Sequence, residues 1–300
     1  VSGRGSHQAR GTGAVPSFRI GELRVDRIVD LEGPFMTAYE MFPDATEEAL
    51  APHLSWLVPR AISPNSKRLI LPIQSYLVRT GRHTILIDTC IGCRKSHDFV
   101  PGWGGRTDEV WLANLRAAGA RPEDIDYVMC THLHVDHCGW NTRLVDGRWV
   151  PSFPNAKYLF ARAEYEASAA ANGIVFRESV LPVMEAGQAE LVELDHQLSD
   201  GVWFEPTLGH TPGHVAVLLS SKGERGAMSG DLMHSPLQLA YPEWSPKIDW
   251  DRALAAKTRR AFLERHADTG DIVMTAHFPQ PSSGRVLSEG DAFRFRYLGT

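Results

Sequence analysis

The chain has 300 residues, 43% of them hydrophobic and 22% charged, with a formal net charge of -5, enough apolar material for one large domain or two small ones. The acidic balance gives no basic footprint for nucleic acid, and no run approaches the ~20 continuous apolar residues that a membrane-spanning helix needs. Four cysteines, Cys90, Cys93, Cys130 and Cys138, do not suggest a disulfide framework in a chain this long and are read as reduced thiols.

Residues 1–16, rich in Gly, Ser, Arg and Gln and lacking an apolar signal-like core, are expected to be a disordered segment or tag remnant ahead of one domain at 17–300. The expected compartment is the cytoplasm. Secretion or a periplasmic location stays open, because Val1 rather than Met begins the chain. Alternation over residues 18–31 predicts a β-hairpin with Ile20, Leu23, Val25 and Ile28 on its inner face. The stretch 33–42 carries Phe35, Met36, Tyr39, Met41 and Phe42 without periodicity and either packs as an irregular loop or overhangs a pocket. A short helix over 43–50 follows, capped by Asp44 or Thr46.

Residues 69–78 and 84–87 flank Thr80-Gly81-Arg82 as a second hairpin. Asp88, at its end, either caps a turn or orients a metal-binding imidazole. Cys90 and Cys93 have a spacing that suits redox or metal chemistry, but no second pair completes a zinc knuckle. Residues 107–118 read as an amphipathic helix with Val110, Trp111, Leu115 and Ala118 inward, closed by Gly119. It leads into an apolar strand at 127–130 and then the run Thr131-His132-Leu133-His134-Val135-Asp136-His137. Three imidazoles and a carboxylate within six consecutive residues, just after a strand end, are hard to explain by packing, and they are the donor types that zinc prefers. Cys138 reads as a small buried residue behind them.

Strands are expected at 149–153 and 158–160, helices at 161–171 and 176–186, and a second series of strands at 191–194, 202–208, 215–219 and 227–229. A long helix at 250–266 would bury Leu254, Ala255, Thr258, Phe262 and Leu263, and 271–275 would be another strand. Two strand series with interspersed helices predict an α/β layered fold of two packed sheets. His214, Asp231 and His277 each stand at the edge of an apolar strand, where such a fold gathers its loops.

The ordered set His132, His134, Asp136, His137, then His214, Asp231 and His277 resembles the metallo-β-lactamase superfamily over nearly the whole chain from Phe18. The resemblance implies an αβ/βα four-layer sandwich of two mixed sheets. It also implies two divalent metal ions, with His132, His134 and His214 holding one, Asp136, His137 and His277 the other, and Asp231 bridging. Zinc is the default for such N/O ligands, with Mn, Fe or Co open. Two ions sharing a hydroxide would make a hydrolase. The runs from His137 to Asn141, Gly230 to His234 and Ala276 to Pro279 look most like the lactonase and methyl-parathion-hydrolase branch. Quorum-quenching lactonases of the superfamily often carry a tyrosine three residues after the bridging aspartate, and here His234 stands there.

The expected catalytic residues are Asp136, Asp231 and His234. The last would hydrogen-bond the substrate or protonate a leaving group, or else merely line the pocket. His210 is read as a loop-stabilising residue. Trp140, Met233, Leu237 and Phe278, with Phe35 and Trp103, are candidates for an apolar substrate pocket. The leading expectation is opening of a lactone, an acyl-homoserine lactone among them, or cleavage of a related ester. The alternatives are organophosphate triester hydrolysis and, from another class, a metal-binding redox or sensory module. The expected partner is a small lactone, ester or phosphotriester, with neither nucleic acid nor membrane, and a homodimer is possible.

Overall fold

A computed structural model describes residues 15–198 and 201–299. Most of the predicted disordered segment therefore lies outside the described residues, although the Pro16 carbonyl accepts a hydrogen bond from Arg27 N at 3.0 Å. Strands β1 (Ser17–Ile20) and β2 (Leu23–Pro34) form the first hairpin. Ile20, Leu23 and Val25 share one face, but Ile28 has the opposite parity to Val25 and is buried on the other. β2 continues antiparallel to β3 (Ile70–Arg79) and β3 to β4 (Thr84–Ile87), while β5 (Tyr127–Met129) runs parallel to β4.

A separate hairpin of β6 (Thr142–Val145) and β7 (Arg148–Pro151) follows, so the predicted strand near Trp149 pairs outside the main sheets. β8 (Lys157–Ala161) and β9 (Ala189–Val192) complete a seven-stranded sheet in the order β1-β2-β3-β4-β5-β8-β9. Residues near 191 thus belong to the first sheet, not to the second series. The second sheet holds β10 (Gln197–Leu198), β11 (Val202–Pro206), β12 (Val215–Ser221), β13 (Glu224–Met228), β14 (Ile272–Met274), β15 (Ser283–Glu289) and β16 (Ala292–Tyr297) in chain order. The last two strands had no expectation in the sequence, where Ser and Gly obscure their alternation.

The two sheets face each other through Val25, Tyr76, Ile85 and Met129 from one side and Phe204, Val217, Met228 and Met274 from the other. Helices Val110–Ala117, Arg162–Ala171 and Leu181–Glu185 cover the outer face of the first sheet, the last preceded by a wide turn over Phe176–Val180. Helix Arg252–His266 covers the second. This is the layered αβ/βα arrangement. The long helix buries Ala255, Phe262 and Leu263 as expected, but Arg259 and His266 take the place of Leu254 and Thr258. Residues 38–71 form short helices, including Glu47–Leu50 capped by Thr46, and pack their own cluster against Leu237 and Trp244.

The strand directions explain where the chemistry gathers. β4 and β5 are parallel neighbours, so Asp88 and the run beginning at Thr131 leave the sheet at the same rim. β13 and β14 are also parallel, which brings Asp231 and His277 out together. β11 lies antiparallel to β12 and β12 to β13, so the loop after β11, carrying His210, opens at that rim as well. Loops at the carboxyl ends of such strands are where α/β sheets hold ligands.

Candidate metal centre

Three side-chain groups converge at this rim. Ligand atoms of His132, His134, His210 and Asp231 lie within 4.8 Å of one another, as do those of Asp136, His137 and His277, and those of Asp231, His234 and His277. Asp231 joins them, with one oxygen on each side. Its Oδ1 stands 3.0 Å from His137 Nε2 and 2.9 Å from His277 Nε2. Its Oδ2 is 3.4 Å from His210 Nε2 and 3.7 Å from His132 Nε2.

Six of the seven expected ligand residues meet here, but His214 does not join either side. Its Nδ1 donates to the carbonyl of Thr207 at 3.1 Å, and its Nε2 accepts the backbone N–H of Asp231 at 3.0 Å, which uses the lone pair a metal would need. His210, read from sequence as a loop residue, occupies that position instead. Its Nδ1 donates to Asp249 Oδ1 at 2.7 Å, leaving Nε2 as a lone-pair donor 2.9 Å from His134 Nδ1. Both histidines belong to the run His210-Thr211-Pro212-Gly213-His214, and spacing alone does not say which ring turns inward.

Three other imidazoles, His132, His137 and His277, are also oriented through their far nitrogens, as metal-binding histidines usually are. His137 Nδ1 donates to Asp88 Oδ2 at 2.8 Å, and His277 Nδ1 to the Pro72 carbonyl at 2.9 Å. His132 Nδ1 meets Thr131 Oγ1 at 3.1 Å, and that hydroxyl donates to Asp88. Asp88 therefore orients imidazoles as one of its two readings held, while also accepting Thr131 N at 2.7 Å. Glu164 accepts from Leu133 N at 2.9 Å and Gly213 N at 3.0 Å, tying the two histidine loops together. That contact needs glycine, because a Cβ on Gly213 would come within 2.1 Å of Glu164 N. Glu164, Asp249 and Arg259 were missed by sequence reading. Their only signal was a charge on an otherwise apolar helix or loop face.

Burial sets the electrostatics. It lowers His132 well below the ordinary imidazole range, and brings His134 and His210 down to about 3, so these rings stay neutral, the form that binds metal. Burial also opposes charge on His137 and His277, but the nearby carboxylates, Asp231 foremost, hold both above the usual value. Against its own burial, Asp231 is kept well below the carboxylate range by His137, His277 and His234.

His132 Nε2, His137 Nε2, Asp231 Oδ1 and both ring nitrogens of His234 are buried, and although some lie at ion-pair distance from one another, none makes an aligned hydrogen bond. Such orphaned atoms are costly unless something else satisfies them. All five belong to the cluster, and imidazole nitrogen with carboxylate oxygen is a donor set that fits two divalent ions. The cysteines stand apart. Cys90 is buried with Sγ 3.1 Å from Ser75 Oγ, Cys93 Sγ donates to the Arg106 carbonyl, and burial raises both thiols, so they are not poised as a redox pair. Cys138 is buried beneath the cluster, with Sγ 3.2 Å from the His134 carbonyl.

A cavity of about 750 Å³ opens onto the cluster and reaches His134, Asp136, Asp231, His234 and His277. Its walls are mainly apolar, with Phe35, Met36, Leu71, Ile73, Phe99 and Trp103 prominent. Phe35 stacks on Trp103 at 5.6 Å between ring centroids. Of the expected pocket residues, these two line it. Trp140 instead stacks on Trp111, Met233 and Phe278 pack under the second sheet, and Leu237 joins the 38–71 cluster. No helix of the described residues is long and apolar enough to cross a membrane.

Residues 69–277 match the family model of the metallo-beta-lactamase superfamily. The chain is 30% identical to an N-acyl homoserine lactonase of Bacillus cereus over 226 residues, covering 72% of this chain and 85% of the relative. Among solved structures, it resembles hydrolase AbOPH of the beta lactamase superfamily with a TM-score of 0.81 and 25% identity, over 97% of this chain and 99% of that one. It also resembles AidC, a dizinc quorum-quenching lactonase, with a TM-score of 0.77 and 21% identity, over 96% and 98% of the two chains. With the matched segment spanning every residue of the cluster, the chain belongs to the metallo-beta-lactamase superfamily.

Proposed function

We propose that this chain is a dinuclear metal hydrolase, with zinc as the default ion, that opens a lactone bearing an apolar acyl substituent. The single observation that carries the reading is Asp231, whose two oxygens face separate histidine groups at the floor of an apolar cavity. On this reading His132, His134 and His210 would hold one ion, Asp136, His137 and His277 would hold the other, and Asp231 would serve both. Two such ions, when bound, lower the pKa of a water toward neutrality and polarise a carbonyl.

The chain's own groups do the rest. Asp249 and Asp88 accept the Nδ1–H of His210 and His137, so Nε2 of each ring faces the cluster without reorganisation. Asp136, whose side chain is 12% exposed and lines the cavity, is the carboxylate to accept a proton from the attacking water and return it to the ring oxygen as the ester bond breaks. His234, with Nε2 3.1 Å from Asp231 Oδ2, is suited to donate a hydrogen bond to the substrate carbonyl. The apolar walls hold the acyl chain and exclude bulk water from the reacting carbon. The lactonase names of the relatives support the choice of a lactone.

The test is a panel of acyl-homoserine lactones of short and long chain, aryl esters and aryl phosphotriesters, assayed with zinc-loaded protein. Highest kcat/KM on lactones agrees with the proposal, and a preference for phosphotriesters would replace it.

A further inference from the structure

Helix Arg252–His266 buries an arginine that the proposed chemistry does not use. Arg259 is fully buried, and its guanidinium reaches several parts of the loops around the cluster at once. Nε donates to the Leu232 carbonyl at 2.6 Å, between Asp231 and His234 in sequence. Nη1 donates to the carbonyls of Pro242 and Trp244, each at 2.8 Å. Nη2 lies 3.5 Å from Asp249 Oδ2, on the carboxylate whose other oxygen accepts from His210.

The Trp244 carbonyl is shared. It also accepts from Gln238 Nε2 at 2.8 Å, and the Oε1 of the same side chain accepts the backbone N–H of His234 at 2.7 Å. One cation therefore braces the backbone that carries Asp231 and His234 by hydrogen bonds, and sets its charge beside the carboxylate beneath His210 at ion-pair distance. The helix itself is seated close to the same loop. Asp251 N donates to the Gly209 carbonyl at 2.9 Å, and a Cβ on Gly209 would come within 2.4 Å of the Ala255 backbone, so only glycine lets the helix approach the residue before His210.

We infer that Arg259 is a positioning residue for the metal centre, holding His210 in register with Asp231 through Asp249 and the Leu232 carbonyl. The inference rests on the dinuclear reading above. A planar, five-donor fork satisfies carbonyls in different directions while keeping its charge beside a carboxylate, which a single ammonium group does not reproduce. Loss of the fork leaves the fold's apolar contacts in place but frees the loops to shift, and partners of this kind typically change metal affinity about 10- to 100-fold.

The experiment is chelator competition for zinc, at fixed pH, on wild type, Arg259→Lys, Asp249→Asn and the double variant, with Leu263→Ala as a packing control on the same helix. The inference expects Arg259→Lys to weaken retention of one ion by about 10-fold or more, the double variant to lose less than the sum of the two single effects, and Leu263→Ala to lose thermal stability without that weakening. Equal retention by Arg259→Lys and wild type, or equal weakening by Leu263→Ala, overturns it. Should Arg259→Lys not accumulate as folded protein, a further variant, Arg259→Gln, decides: weaker retention of one ion supports the bracing, and wild-type retention overturns it. A wild type that retains fewer than two ions would sink the dinuclear reading itself, which separates the two failures.

Discussion

The Nε2 atom of His210 lies 2.9 Å from the Nδ1 atom of His134, while the other nitrogen of His210 donates to Asp249. His214, four residues on, has both nitrogens engaged by backbone. The two rings are therefore predicted to behave differently. His210→Ala should reduce bound zinc from two ions toward one and remove most activity. His214→Ala should retain both ions and lose stability instead, by about 1–3 kcal/mol for the Asp231 N–H left without its acceptor. Metal analysis beside thermal unfolding checks both, and a His214→Ala protein that loses an ion with His210→Ala intact would reverse the assignment.

His234 stacks on His277 with 5.3 Å between ring centroids, yet neither of its nitrogens makes an aligned hydrogen bond. His234→Phe should keep the metal content and the stack while lowering kcat more than it raises KM. Unchanged kcat would leave His234 as a wall of the pocket.

Trp103 and Phe35 form an aromatic wall of the cavity. Trp103→Ala is expected to lower kcat/KM for long-chain acyl lactones roughly 10- to 200-fold, the range of a lost apolar contact of 1–3 kcal/mol, with a smaller effect on short chains. Equal losses at every chain length would show that the wall does not touch the acyl group.

Away from the centre, His97 is buried with no hydrogen-bond partner on either nitrogen, and burial, helped by the neighbouring Lys95, lowers it to about 4. The unfolded chain takes up this proton near the ordinary histidine value while the folded chain does not, so stability from the neutral ring is complete above about pH 6.5 and is lost as pH falls toward 4. Denaturant unfolding of wild type and His97→Phe at pH 7 and pH 5 should show the wild type losing more stability between those values, by about 2 kcal/mol. Parallel losses would remove His97 as the source.

The fold was legible because the sheets are built from apolar runs whose ends carry polar residues. β3, β5, β12 and the helix Arg252–His266 all stand where periodicity put them. β15 and β16 were invisible because Ser and Gly at one end and alternating arginines at the other blur their pattern. At the site, residues contiguous in sequence could be read directly, as His132 to His137 were. The choice between His210 and His214 depends on which ring the backbone N–H of Asp231 occupies, a contact across seventeen positions that no local spacing records. Arg259 and Asp249 were hidden for the same reason, since a buried charge reads as a surface one until its partners are known.

The central claim is that two ions joined by Asp231 are both needed for lactone opening. Stepwise titration of metal-free protein with zinc, following ring opening of an acyl-homoserine lactone at each addition, tests it most directly. The account predicts little turnover through the first equivalent and a rise that completes with the second, abolished in Asp231→Ala. Full turnover at one equivalent, or near-normal turnover by Asp231→Ala, would contradict it.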